Sequence, residues 1–119
     1  MISPYFKDDE FQCKCGCGLD IEDNVKAMIF EAREIANIPF TITSGARCLE
    51  HNRSIGSRDT SSHIKGLAVD IVATSSQQRA RIYNSLYKAG FRRFGFNFNK
   101  GFIHVDNDLE KIKPAIFGY

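Results

Sequence analysis

A chain of 119 residues with 43% hydrophobic residues, ten Phe and only three Pro can bury a core without staples. That excludes a disordered chain and suggests one domain over residues 1–119. The net charge of +2, with both signs interspersed, is too weak for nucleic acid to be the partner, and no apolar run reaches membrane-spanning length.

Residues 1–12 read as an N-terminal arm, with Tyr5, Phe6 and Phe11 available to anchor it. The segment Met1 to Glu10 is acidic where a secretory signal would be basic and then apolar, so the chain as given carries no signal peptide and is expected to be made in the cytoplasm. Cys13, Cys15 and Cys17 follow at alternating positions, with Cys48 far along the chain. They could form a thiolate metal site, pair as disulfides (Cys48 with one of the cluster), or stay free, and without an export signal the reduced state is the default.

Asp20 or Asp23 offers an N-cap, and Val25, Met28, Ile29, Ala32, Ile35 and Ala36 keep helix spacing, which predicts a helix from about 23 to 37, ended before Pro39. Phe40 to Ser44 reads as a strand. It leads into Gly45-Ala46-Arg47-Cys48, a turn that delivers Arg47 from a strand end. A guanidinium there suits a substrate carboxylate or a developing oxyanion. His51 is read as a loop residue rather than a fourth ligand, and residues 53–60 as a polar loop.

From Leu67 onward the residues alternate: Leu67, Val69 and Ile71 take one face, Ala68 and Asp70 the other. A carboxylate inside an apolar strand is costly unless it is paired or bound to a cation. His63 precedes that strand, and Gly66 permits a turn that brings it to the same face. Ser75 is among the cap candidates for a second helix carrying Ile82, Tyr83, Leu86, Tyr87 and Ala89, closed by Gly90. Residues 91–106 read as a β-hairpin with Phe94, Phe96 and Phe98 in step as core. In its second strand Phe102, His104 and Asp106 share a face. If this strand lies beside the first, His104 meets Asp70 and His63. Residues 107–119 read as a polar turn and a short terminal segment.

A lone histidine in a strand is most often a core or surface residue. Here histidine and aspartate recur twice within apolar alternation, which favours a ligand set. His63, Asp70 and His104 give three protein ligands and leave one position open, the stoichiometry of catalytic rather than structural zinc.

Ser61-x-His63-x-x-Gly66-x-Ala68-x-Asp70 with a later His104-x-Asp106 resembles the zinc D-Ala-D-Ala peptidase family, whose members are D-Ala-D-Ala carboxypeptidases and L-alanyl-D-glutamate endopeptidases. Thr43-Ser44-Gly45-x-Arg47-Cys48-x-x-His51-Asn52 is similar to the segment that leads to the motif in small members, phage lysis enzymes included. The resemblance runs from about Phe11 to Asp106. It implies a small α+β fold, an antiparallel sheet with helices on one face, as in hedgehog signalling domains. It implies zinc held by His63, Asp70 and His104, Arg47 at the substrate or oxyanion, and Ser61 as a substrate-side residue supporting the site by hydrogen bonds. The implied function is hydrolysis of an amide bond in peptidoglycan stem peptides at the cell wall, after release from the cell, by a monomer. Several members carry an acidic general base three positions before the last zinc histidine; here that position is Gly101. Asp106 is the remaining acidic candidate for the base, or else orients His104 or Arg47. An inactive zinc-containing binding module of the same fold is the alternative.

Overall fold

The computed structural model describes residues 4–119, so the first three residues of the arm lie outside the described residues. Three helices and five strands follow in the order α1 (Asp23–Ala36), β1 (Ile42–Ser44), α2 (Leu49–Ser54), β2 (Ala68–Val72), α3 (Ser76–Lys88), β3 (Arg93–Asn97), β4 (Phe102–Asp106) and β5 (Ala115–Gly118). The strands form one sheet in the order β1-β2-β4-β3-β5. The class is α+β, as the resemblance implies. The sheet is mixed rather than antiparallel, because β5 runs parallel to β3, and the short terminal segment supplies that fifth strand.

Helix α1 forms where Val25, Ile29, Ala32 and Ala36 recur on one face, and all four are buried. Neither cap candidate caps it: Glu22 holds that position, while Asp20 accepts from the Ile21 N–H and from Lys26. At the other end Asn37 takes the left-handed conformation, and Pro39 follows. In α3 the Ser75 hydroxyl accepts from the Gln78 N–H, so the expected cap is made. The two helices pack together, and Val25, Ile29, Ile82 and Leu86 join Val69, Ile71, Ile103 and Val105 of β2 and β4 in one core.

That packing consumes one face of β2 and β4. Asp70 and His104 point from the other, and the strict two-residue period leaves them no choice. The antiparallel register sets Asp70 directly opposite His104. Phe94 is buried and Phe96 packs on the core, both beside Tyr83 of α3, whereas Phe98 is exposed beyond the strand end.

Residues 49–54, expected to be loop around His51, instead form α2, capped by the Cys48 sulfur. Gly101 sits at φ 70 in the β3–β4 turn, and a Cβ there would meet the Thr74 side chain. Any residue with a side chain would be strained and crowded at this position.

Candidate metal centre

His63 reaches the sheet from the turn of residues 61–66 and is buried together with Asp70 and His104. One oxygen of Asp70, Oδ1, lies 3.2 Å from His63 Nε2 and 3.1 Å from His104 Nδ1. The remaining ring nitrogens are both taken. His63 Nδ1 lies 2.6 Å from the Gly45 carbonyl oxygen, which can only accept, so Nδ1 carries the proton. His104 Nε2 lies 2.7 Å from Asp106 Oδ2, and it donates there.

Those two bonds fix both tautomers. In the neutral rings the unprotonated nitrogens, His63 Nε2 and His104 Nδ1, face each other across a carboxylate. Three electron-pair donors converging in a buried space are mutually repulsive unless a cation or a proton lies among them. The set of two imidazoles and one carboxylate, all three ligand atoms within 4.8 Å of one another, is therefore fitted to a divalent ion such as zinc. Without a metal the same need appears as pKa shifts. Burial pushes the Asp70 carboxyl up, but the bonds from His104 and His63 more than reverse this and hold it far below the ordinary range. Burial pushes His104 down, and its bonds to Asp106 and Asp70 override that and raise it.

Both oxygens of Asp106 are hydrogen-bonded, and its side chain is fully buried. Its Oδ1 accepts from Arg93 Nε at 2.9 Å and from the Asp108 N–H at 3.1 Å, and Oδ2 takes the His104 proton. Of the two roles read for Asp106, this favours orienting His104 over accepting a proton from substrate water.

Arg47 leaves β1 by the turn the sequence suggests and lies at the cleft, mostly buried. Its Nη2 donates to Ser61 Oγ at 3.1 Å, and Ser61 Oγ also accepts the His63 N–H. Its Nε is buried with no hydrogen-bond partner among the described residues, and no carboxylate there pairs with it. Burial lowers its pKa, opposed by the Asp70 charge, and a guanidinium nonetheless stays protonated. His51, on α2, is not part of the ligand set.

The cleft over the centre has a volume of about 560 Å³, and Arg58, Lys100 and Lys111 join Arg47 and Arg93 around it. Phe117 and Tyr119 also line it, with Phe117 5.7 Å from the His104 ring. Burial and the Asp70 charge push the Tyr119 phenol up to about 12, so it stays protonated at neutral pH. Sequence reasoning passed over both aromatics; the only signal was a short apolar run after Pro114.

Asp108 was passed over as well. It is fully buried, accepts from Ser62 Oγ at 2.8 Å and from Lys65 Nζ at 3.1 Å, and so ties residues 107–111 to the neighbour of His63. Burial pushes this carboxyl up, but those donors win and hold it below the ordinary range. A depressed folded-state pKa adds stability above the ordinary carboxylate pKa, lost as pH falls below it. Asp108→Asn is expected to cost about 1–3 kcal/mol at pH 7. In urea unfolding followed across pH, the gap to wild type should close below about pH 4.

The sequence model of a family described as Peptidase M15 matches residues 4–106, most of the chain. No curated protein matches it.

Proposed function

The chain belongs to the peptidase M15 family of metallopeptidases, and from that premise we propose that it is a zinc-dependent peptidase cutting an amide bond in peptidoglycan stem peptides. The observation that carries this reading is the pair of fixed tautomers, which turns His63 Nε2 and His104 Nδ1 toward Asp70. The D-Ala-D-Ala and L-Ala-D-Glu bonds are the candidate targets, in wall remodelling or phage lysis, by a monomer with the small fold shared with hedgehog signalling domains.

His63, Asp70 and His104 would hold the zinc. When bound, the ion polarises the scissile carbonyl and makes a water acidic enough to attack near neutral pH. The chain's own residues do the rest. Arg47, with a buried unpaired Nε, is set to hold a substrate carboxylate or the oxyanion as it develops. Ser61 fixes the guanidinium and the His63 backbone together. The cations around the cleft favour a substrate bearing free carboxylates, as stem peptides do.

We assign Asp106 the orienting role, and it has a discriminating test. Asparagine cannot accept the His104 Nε2 proton through its amide nitrogen, so the Asp106→Asn ring is freer to switch tautomer and aim a proton at the metal. Zinc affinity is expected to fall about 10- to 100-fold, with turnover largely restored at saturating zinc. Unchanged zinc affinity with lost turnover would assign it the base role instead.

One observation favours the alternative of a non-catalytic module. Among the described residues lining the cleft the only side-chain carboxylates are Asp70 and Asp106, both engaged. Purified peptidoglycan incubated with the zinc-loaded protein separates the readings. Soluble stem-peptide fragments whose new termini name one bond, absent with chelator, are the expected result. Wall binding with zinc retained and no fragments would overturn the peptidase.

A further inference from the structure

The four cysteines lie outside the centre described above. Three of them are spaced two residues apart, and in an extended strand such neighbours stand about 6–7 Å apart, too far to share an ion. The chain does not extend there. Cys13 O accepts from the Gly16 N–H, and Gly16, at φ 87, turns the chain back.

The turn gathers the sulfurs. Cys13 and Cys15 lie 3.4 Å apart, Cys15 and Cys48 3.6 Å, and Cys13 and Cys48 3.9 Å. With Cys17, all four sulfurs lie within 4.8 Å of one another, and none is in a disulfide. Four thiolates around zinc at its usual bond length of about 2.3 Å would stand about 3.8 Å apart along each tetrahedral edge. The Cys48 N–H donates to Cys13 Sγ and the His51 N–H to Cys48 Sγ, contacts that favour the thiolate form.

We infer that Cys13, Cys15, Cys17 and Cys48 form a second metal site, a closed tetrahedral thiolate site for structural zinc, whose four thiol protons are released to solvent as the ion binds. Its place in the fold says what it stabilises. Cys48 adjoins Arg47, the Ala46 N–H donates to the Phe11 carbonyl, and Gly45 supplies the carbonyl that fixes the His63 tautomer. The ion would clamp the N-terminal arm to the turn that carries both. This site stands independently of the peptidase reading.

Zinc content of the full chain, purified under reductant and freed of loose metal, tests it. Wild type is expected to hold two equivalents. His63→Ala should keep one, and the Cys15→Ser/Cys17→Ser double variant, changed at exposed positions, should also keep one. Cobalt(II) in place of zinc should give sulfur-to-metal charge-transfer absorption that survives His63→Ala and disappears in the double variant. A single equivalent removed by His63→Ala would overturn the second site and leave the first. A single equivalent removed only by the cysteine changes would do the reverse. Should the double variant fold poorly, thiol titration of wild type decides. Slow reaction with zinc released in step supports the site; immediate reaction of all four thiols without metal release, or disulfides in the intact mass, overturns it.

Discussion

Asp70→Asn is expected to abolish peptide release, by about three orders of magnitude or more, while leaving the protein folded. Asp70 is the one negative charge between two imidazoles, and Oδ1 meets both rings. The amide keeps the shape and can still bond the histidines, so β2 and β4 keep their pairing across the Asp70–His104 register. What it removes is the charge that makes a cation welcome among three buried donors. Zinc at the His63 centre should be lost in the same variant, and thermal unfolding should move down with the loss of the bound ion and of the buried charge while remaining cooperative. Full turnover with zinc retained would place the reaction elsewhere.

Arg47→Ala is expected to lower kcat/KM by about 100- to 1,000-fold with the histidine-centre zinc unchanged. Its guanidinium bonds neutral hydroxyls and no carboxylate among the described residues, so removing it leaves no buried anion unpaired. A stability loss of only about 1 kcal/mol should accompany the large kinetic one. Lysine should recover little, since a point charge lacks the planar fork. Kinetics on a defined stem peptide, with unfolding measured in parallel, checks this. An activity loss no larger than the stability loss explains would give Arg47 a packing role.

The centre was legible because a strand's period is two. Apolar residues at 69, 71, 103 and 105 leave 70 and 104 on the opposite face, and one antiparallel register suffices to bring Asp70 to His104. His63 followed because it enters from a turn beside that strand. The terminal strand was not legible. Ala115–Gly118 is four residues, too short to show a period, and its parallel pairing with β3 depends on contacts distant in sequence. Phe117 and Tyr119 went unread with it. The role of Asp106 also needed coordinates. Spacing puts it on the face of His104, but only distances show that Arg93, the Asp108 N–H and His104 occupy its oxygens. The cysteines needed coordinates too: their spacing leaves a metal site, disulfides or free thiols open, and only the turn at Gly16 gathers the sulfurs.

Anomalous diffraction at the zinc edge, from crystals grown with zinc, addresses the claim on which the rest stands. A peak bonded to His63 Nε2 and His104 Nδ1 at about 2.0–2.1 Å, with an Asp70 oxygen at a similar distance, is the expected result. No peak there, or a peak reached by the opposite ring nitrogens, would contradict it.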